Sequence, residues 1–169
     1  MAARLSIVVP VLNEAGRLAA HLQALAPLRA RGHEVLVVDG GSEDASAALG
    51  AAFADRVLQA PRGRAAQMNA GARAASGDAL VFLHADTLLP ANADTLVLDA
   101  LQEHVWGRFD VAIEGRHPAL GLIGAAMNLR SRLTGIATGD QAMFMTREAF
   151  ARVGGFPAIA LMEDVALSA

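Results

Sequence analysis

Leu5-Ser6-Ile7-Val8-Val9-Pro10-Val11-Leu12-Asn13-Glu14 is the stretch of sequence that decides the fold of this 169-residue chain. Its first part, residues 5–9, is mostly apolar and rich in β-branched side chains, and Pro10 closes the run. A nearly continuous apolar run of this length is typical of a strand that is covered on both faces in a parallel sheet. The stretch therefore predicts a buried first strand over 5–9 and a loop over 11–14.

Strands and helices alternate through the rest of the first half. The later strands are predicted at 34–38, 56–59 and 79–83, and the helices at about 15–30, 43–53 and 64–75. Turn-forming segments such as Asp39-Gly40-Gly41-Ser42 separate them. Alternation of this kind predicts βαβ units, and hence an α/β fold: a Rossmann-like three-layer α/β/α sandwich around a mainly parallel sheet.

The second half alternates less regularly. Helices are predicted near 91–104 and 120–133, and strands near 108–113 and 141–145. This pattern favours a mixed rather than a purely parallel arrangement in the second half of the sheet. Because no internal repeat, low-complexity tail or polar linker interrupts the chain, residues 1–169 are predicted to form one domain.

The composition excludes several classes of function. A net charge of −3 and an isoelectric point near 5.9 leave no broad basic field for nucleic acid. The sequence has no cysteine, which excludes disulfides, thiolate zinc sites and cysteine nucleophiles. All 14 basic side chains are arginines, so sites that require lysine, such as the phosphate-binding P-loop, are excluded as well.

The apolar segments are all too short for a secretory signal or a membrane span. No transmembrane segment is therefore expected. The predicted compartment is the cytoplasm, with peripheral attachment to a membrane left open.

Two acidic residues follow predicted strands at the edge where α/β proteins bind ligands. Asp39 ends the second strand, where a carboxylate accepts hydrogen bonds from ribose hydroxyls or ring N–H groups, or else caps the next turn. Asp86 follows the fourth strand, and His84 lies two residues earlier on the same side of an extended segment. The pair is a half-site for Mg²⁺ or Mn²⁺ that substrate phosphates would complete, although a hydrogen-bonded core histidine is the alternative for His84.

The loop after the first strand argues against an ordinary dehydrogenase. Dinucleotide-binding proteins carry the pattern G-x-G-x-x-G at this point, whereas this chain has Pro10-Val11-Leu12-Asn13-Glu14. A nucleotidyltransferase usually has a basic, glycine-rich loop there, and this loop instead carries the acidic Glu14.

Four motifs, in this order along the chain, resemble those of the inverting family 2 glycosyltransferases. They are Val8 to Glu14, Val37 to Asp44, Phe82 to Asp86, and Met162-Glu163-Asp164. The segments 62–71 and 107–111 also look like a small bacterial subgroup often found beside radical-SAM or selenium-related proteins. The resemblance covers nearly the whole chain and implies a GT-A fold, with a nucleotide-binding half over about 1–90 and an acceptor half over about 91–169.

The resemblance also implies a role for each matching residue. The residues expected at the nucleotide-sugar are Pro10, Glu14, Asp39, Gly41, Arg64 and Asn69. Asp86 matches the last position of an Asp-x-Asp-like metal motif, whose first position here is His84. Asp164 matches the general base, with Glu163 beside it, although adjacent carboxylates at a helix start are ordinarily capping groups. Gly139-Asp140-Gln141 resembles a turn on the acceptor side.

The implied reaction transfers a sugar from a nucleotide-sugar donor to a small-molecule or lipid-linked acceptor, with Mn²⁺ or Mg²⁺ as cofactor. A homodimer is left open. Related chains usually continue well beyond the Glu-Asp motif, whereas only five residues follow Asp164 here, so a shortened acceptor half is expected. A catalytically impaired nucleotide-binding fragment and a nucleotidyltransferase remain the alternatives.

Overall fold

The computed structural model describes residues 3–117, 119–157 and 163–168, without the side chains of residues 164 and 165. The strands are β1 (Leu5–Val11), β2 (Glu34–Asp39), β3 (Arg56–Gln59), β4 (Ala79–Phe82), β5 (Trp106–Gly107) and β6 (Phe144–Thr146). The helices are α1 (Ala15–Ala24), α2 (Ala26–Ala30), α3 (Ser46–Phe53), α4 (Arg64–Ala74), α5 (Ala93–Glu103), α6 (Ala119–Thr134), α7 (Arg147–Val153) and α8 (Glu163–Ser168). Within the described ranges, no helix has the length and apolar character that a membrane crossing requires.

The six strands form one sheet in the order β3-β2-β1-β4-β6-β5. The first four are parallel to one another, and β6 runs antiparallel to both β4 and β5. The predicted α/β class, the parallel first half and the mixed second half are therefore confirmed. The carboxyl ends of β1, β2 and β4 lie at one edge of the sheet, as the pairing of Val11 with Asp39 illustrates.

Helices cover both faces of the sheet, which confirms the predicted three-layer sandwich. On β1, Ile7 and Val9 pack into a core shared with leucines of α1 and α2, whereas Val8 packs into a second core with Met68 of α4. The approach of α4 is close, because a Cβ added to Gly71 would lie 2.3 Å from a methyl carbon of Val8. Any larger residue at position 71 would push α4 away from the central strand.

The predicted helix over 15–30 is two helices rather than one. The helix is interrupted at Leu25, and Pro27 lies in the first turn of α2. Proline has no N–H group and so cannot continue the hydrogen bonding of α1, but it is well suited to a first helical turn.

The predicted strand over 108–113 is wrong. Pairing with β6 stops after Gly107, and the following segment leaves the sheet. Asn128 of α6 replaces a strand partner there, since its Oδ1 accepts from Val111 N at 2.9 Å and its Nδ2 donates to Val111 O at 3.0 Å. A side-chain amide thus satisfies the main-chain groups that a sheet would otherwise have paired.

Two further predictions in this region need correction. The strand expected at 141–145 begins only at Phe144, after a 3₁₀ turn over Gly139–Gln141. Helix α7 was not predicted, although Thr146 caps its start by accepting from Ala149 N at 3.1 Å and Gly154 ends it with a φ of 83°. These are ordinary helix start and stop signals on a helix of only two turns.

A cluster of charges fastens α5 to the start of β2 and yields a test of the fold. Asp94 of α5 accepts a hydrogen bond from Arg31 Nε at 2.6 Å and lies 3.1 Å from His33 Nε2. The hydrogen bonds from Arg31 and His33 outweigh the effect of burial and hold the pKa of Asp94 at about 2.

We predict that Asp94→Asn lowers the free energy of unfolding at pH 7 by up to about 2 kcal/mol, because the pKa is lower in the folded state than in the unfolded state. This contribution is fully present above the unfolded pKa of about 4 and is lost as the pH falls toward 2. Urea unfolding of both proteins across this range should show the difference disappearing. Asp99→Asn, an exposed change on the same helix, is the control, and an equal loss in that variant would contradict the assignment.

Candidate functional site

The loops after β1 and β2 are joined by hydrogen bonds at the carboxyl edge of the sheet. Asn13 N donates to Ser42 Oγ at 2.9 Å, and Glu43 N donates to Asn13 Oδ1 at 2.8 Å. Glu14 N donates to Ser46 Oγ at 2.8 Å. Asn13 adopts a φ of 56°, a left-handed conformation that asparagine tolerates better than most residues. The two loops therefore hold each other in place beside the ends of their strands.

Asp39 shapes the turn that follows β2. It is 1% exposed, and its carboxylate accepts hydrogen bonds from the N–H groups of Gly41 and Ser42, from the Ser42 hydroxyl and from Gln59 Nε2. Burial by itself would raise the pKa of Asp39, but these hydrogen bonds outweigh it and hold the pKa below its ordinary value. These contacts are the ones expected of an acid that caps a turn, which was the alternative to a nucleotide-binding role for Asp39. A contact of Asp39 or Gly41 with a nucleotide stays a prediction.

Gln67 of α4 ties the ends of β1 and β2 together, a role that the sequence did not reveal. The side chain is 3% exposed, and Nε2 donates to Val11 O and to Val38 O, both at 2.8 Å. The main chain at Gly40 lies close to this side chain, because a Cβ added to Gly40 would lie 3.0 Å from Gln67 Cδ. The signal in the sequence was weak: an uncharged polar residue next to Met68, a core residue of α4.

Above this point lies a cavity of about 310 Å³, called here the smaller cavity. It is lined by Pro10, Val11, Leu12, Glu14, Arg62, Gly63, Arg64, Gln67, His84, Ala85 and Asp86. The structure thus brings together five of the predicted site residues, namely Pro10, Glu14, Arg64, His84 and Asp86. Asp39, Gly41, Asn69 and Glu163 are not among its lining residues.

Positive charge enters the smaller cavity from the start of α4. Arg62 and Arg64 line it, and neither guanidinium has an ion-pair partner among the described residues. Gly63, with a φ of 135°, turns the chain into the helix, so that the unpaired N–H groups of the first turn lie at the same place. Such a group favours an anion. Arg64 is one of the residues predicted at the nucleotide-sugar, whereas Arg62 is not.

Asp86 and His84 follow β4 at the other side of the smaller cavity. Asp86 is exposed, and its carboxylate receives one long hydrogen bond, from Thr87 Oγ1 at 3.4 Å. His84 is buried: Nδ1 lies 3.9 Å from Asp140 Oδ1, and Nε2 has no hydrogen-bond partner among the residues described. His84 therefore differs from a core histidine whose two ring nitrogens are both hydrogen-bonded.

These two residues fit a divalent cation only in part. The described ranges contain no group of three or more His, Asp or Glu side chains arranged to hold a metal ion. The largely free oxygens of Asp86 and the unpartnered nitrogen of His84 nevertheless supply one or two donors. Mg²⁺ and Mn²⁺ are commonly bound through so few protein groups when phosphate oxygens of a substrate complete the coordination. The residues therefore fit a cation that binds together with a diphosphate.

His21 of α1 adds no positive charge near Asp86. It is 4% exposed, and neither ring nitrogen has a hydrogen-bond partner within the described part of the chain. Burial lowers the pKa of His21 to about 4, although the charge of Asp86 opposes the shift. The imidazole is therefore neutral at pH 7 and leaves the Asp86 carboxylate available to a cation.

A cavity of about 730 Å³, called here the larger cavity, lies on the other side of Asp86. It is lined by Asp86, Thr87, Leu88, Leu89, Pro90, Phe109, Asp110, Val111, Ala112, Ile113, Glu114, Met127, Asp140 and Ala142. The segment that was wrongly predicted as a strand supplies one of its walls. Asp86 lines both cavities and therefore lies where they meet.

The predicted catalytic pair lies at the start of α8. Glu163 is 3% exposed and its Oε1 has no hydrogen-bond partner among the described residues, whereas the side chain of Asp164 lies outside them. Asn69 of α4 contacts the turn that precedes this segment, because Nδ2 donates to Phe156 O at 2.8 Å and Oδ1 accepts from Phe156 N at 2.9 Å. Asn69 therefore binds the main chain of Phe156, and its contact with a nucleotide-sugar stays a prediction.

Comparisons with known proteins agree with this geometry. The family model described as "Glycosyl transferase family 2" matches residues 6–153. A mannosyltransferase from Pyrobaculum calidifontis, solved in complex with GDP-Man and Mn²⁺, is 26% identical and superposes with a TM-score of 0.74 over 98% of this chain and 50% of its own. A search of curated proteins finds no match.

Two more distant structures show the same fold. S. aureus TarS 1–349 is 18% identical, with a TM-score of 0.74 over 98% of this chain and 54% of its own. Glucosyl-3-phosphoglycerate synthase from Mycobacterium tuberculosis, solved with Mn²⁺, UDP and glucosyl-3-phosphoglycerate, is 18% identical, with a TM-score of 0.71 over 98% of this chain and 64% of its own. The chain thus spans between half and two thirds of the length of these structures, and the predicted GT-A fold is confirmed.

The contacts of Gln67 give a test of how the edge of the sheet is held. We expect Gln67→Leu to destabilise the protein by about 1 to 3 kcal/mol, because two buried carbonyl groups each lose a hydrogen bond. Chemical unfolding measures this loss, and Gln102→Leu, an exposed change on α5, should cost far less. Equal stabilities of the two variants would show that Gln67 does not hold the strand ends.

Proposed function

Because this chain belongs to glycosyl transferase family 2, we propose that it transfers a sugar from a nucleotide-sugar to an acceptor hydroxyl, with inversion and with the assistance of a divalent cation. The observation that carries the proposal is that Asp86 is shared by two cavities of different character. The smaller cavity has guanidinium groups that suit a diphosphate, and the larger has room for a second substrate. The two substrates would meet beside Asp86.

On the donor side, Arg62 and Arg64 would bind the diphosphate, since their charges are unpaired and lie beside the first turn of α4. Pro10 and Glu14 would form the wall that receives the nucleoside. The complex of the P. calidifontis mannosyltransferase with GDP-Man and Mn²⁺ supports a nucleotide-sugar as the donor. Asp39 and Gly41 would help to hold this wall in place, because they form the turn that follows β2.

Asp86 and His84 would hold the cation. An imidazole nitrogen is tolerated better by Mn²⁺ than by Mg²⁺, so we favour Mn²⁺. When bound, this cation supplies neutralisation of the negative charge that develops on the departing diphosphate. Mn²⁺ in two of the similar structures supports the choice.

Asp164 would act as the general base, with Glu163 beside it. Inversion at the sugar requires a group that removes the proton of the acceptor hydroxyl as that oxygen attacks. The resemblance of Met162-Glu163-Asp164 to the family motif carries this assignment. Asn69 would serve as a positioning residue, because it holds the turn before α8 through the main chain of Phe156.

The two halves of the chain would divide the work. Every residue that lines the smaller cavity lies between Pro10 and Asp86, and the larger cavity draws on Asp86 to Ala142. This division supports a nucleotide-binding half over about 1–90 and an acceptor half after it. We propose the cytoplasm as the compartment, since a chain without cysteine needs no oxidising compartment in which to form disulfides.

We predict that Asp86→Asn weakens binding of the donor nucleotide in the presence of Mn²⁺ by about 10- to 100-fold, because a carboxylate ligand is lost. A thermal-shift panel of UDP- and GDP-sugars, with and without Mn²⁺, measures this directly, since a ligand that binds the folded form raises its stability. Asp99→Asn removes the same charge from an exposed position of α5 and should behave like the wild type. Equal Mn²⁺-dependent binding by wild type and Asp86→Asn would contradict the role of Asp86.

We expect Asp164→Asn to reduce the transfer rate by about 10²- to 10⁴-fold while nucleotide affinity stays nearly unchanged, because a general base acts on the acceptor and not on the donor. Product formation with the donor found in the panel is the measurement, and Asp99→Asn again serves as the control. A wild-type chain that binds nucleotide but forms no product would favour a catalytically impaired nucleotide-binding fragment instead.

A further inference from the structure

The larger cavity carries negative charge and no unpaired positive charge. Among the described residues that line it, the ionisable ones are Asp86, Asp110, Glu114 and Asp140. The hydrogen bond from Arg108, at 2.6 Å, and a further ion pair with Arg132 lower the pKa of Asp110. Both guanidinium groups are therefore engaged by one carboxylate, and the four carboxylates that line the cavity still outnumber these two positive charges. The carboxylates of Glu114 and Asp140 then remain without a guanidinium partner within the described ranges.

Apart from Thr87, the remaining walls of the larger cavity are apolar. They are formed by Leu88, Leu89 and Pro90 after β4, by Phe109, Val111, Ala112 and Ile113 after β5, and by Met127 of α6 and Ala142. Phe109 is held by packing against Phe144, with ring centroids 5.5 Å apart and an interplanar angle of 63°. A wall of this kind binds a hydrocarbon surface, and each buried methylene group adds to affinity.

Two of the polar residues of the larger cavity, Asp86 and Asp140, lie where it meets the smaller one. Asp86 lines both cavities, and Asp140 is 3.9 Å from His84, which lines the smaller cavity. A hydroxyl group of the acceptor would therefore be at this junction and the body of the acceptor against the apolar walls. The smaller cavity, in contrast, has Arg62 and Arg64, so an anion is favoured there and disfavoured beyond Asp86.

We propose that the acceptor is an uncharged alcohol with an apolar body, and that the larger cavity disfavours phosphorylated acceptors. The proposal rests on the function proposed above and names the substrate class of the same site. A phosphate group in this cavity would be repelled by the carboxylates of Glu114 and Asp140. It would also find the guanidinium groups of Arg108 and Arg132 already bound to Asp110.

The test compares three probes with the same sugar: n-octyl β-glucoside below its critical micelle concentration, methyl β-glucoside, and n-octyl β-glucoside 6-phosphate. Their binding is measured by calorimetry, in the presence of Mn²⁺ and the nucleotide that gives the largest thermal shift. We expect the octyl glucoside to bind at least about tenfold more tightly than the methyl glucoside, since burial of two methylene groups suffices for this factor. It should also bind at least about tenfold more tightly than its phosphate, because of the unpaired carboxylates.

Variants assign these differences to the cavity. Met127→Ser should reduce the advantage of the octyl chain, whereas Leu129→Ser, on the same helix but exposed and outside the lining, should keep it. Glu114→Arg replaces a negative charge of the larger cavity by a positive one. It should therefore reduce or reverse the difference in affinity between n-octyl β-glucoside and its 6-phosphate. Glu114 is exposed, so this change tests charge without disturbing a core.

Equal or tighter binding of the phosphorylated probe by the wild type would overturn the proposal, as would the lack of any gain from the octyl chain. The same loss in Leu129→Ser as in Met127→Ser would overturn it too, because the chain would then bind outside the larger cavity. A separate titration with nucleotide and Mn²⁺ alone reports on the proposed function. Failure of that titration counts against the transferase itself, whereas nucleotide binding combined with a preference for the phosphorylated probe counts only against the acceptor class.

Discussion

The central strand β1 is the constraint on which the candidate site depends. It is hydrogen-bonded to β2 on one side and β4 on the other, and both faces are buried under helices. A shift by one residue would exchange the side chains of the two faces, so the register that pairs Val11 with Asp39 and Val8 with Phe82 is strongly favoured. That register brings three loops to one edge of the sheet, where Gln67 binds two strand ends directly.

Charge is distributed unevenly along this edge. Arg62, Arg64 and the first turn of α4 make the smaller cavity favourable for an anion, while the larger cavity contains only carboxylates among its described ionisable groups. Asp86 lies between them with little hydrogen bonding of its own, and His21 behind it is neutral at pH 7. An exposed carboxylate with few partners contributes little to folding, whereas the buried Asp39 is satisfied by four donors. The contrast separates an acid that holds the turn from an acid that is free to bind.

The accuracy of the sequence-based predictions follows the range of the interactions involved. The parallel strands were predicted because their apolar runs report burial on two faces, and their termini were wrong by no more than two residues. The segment 108–113 was misassigned because its apolar residues face the larger cavity, and its main chain is satisfied by Asn128, which lies on α6. No local pattern reveals that partner. Helix α7, in contrast, had readable caps in Thr146 and Gly154 and was missed only because it is short.

The sequence by itself determined the α/β class, the parallel first half, and the placement of Asp39 and Asp86 at strand ends, because hydrophobic periodicity and turn residues are local properties. The tertiary structure decided which of these acids the protein satisfies internally and which remains exposed beside a cavity. It also brought Arg62 and Gln67 to the site and separated two cavities at Asp86. These features depend on hydrogen bonds and packing between residues far apart in the chain, which become neighbours only when the helices close on both faces of the sheet.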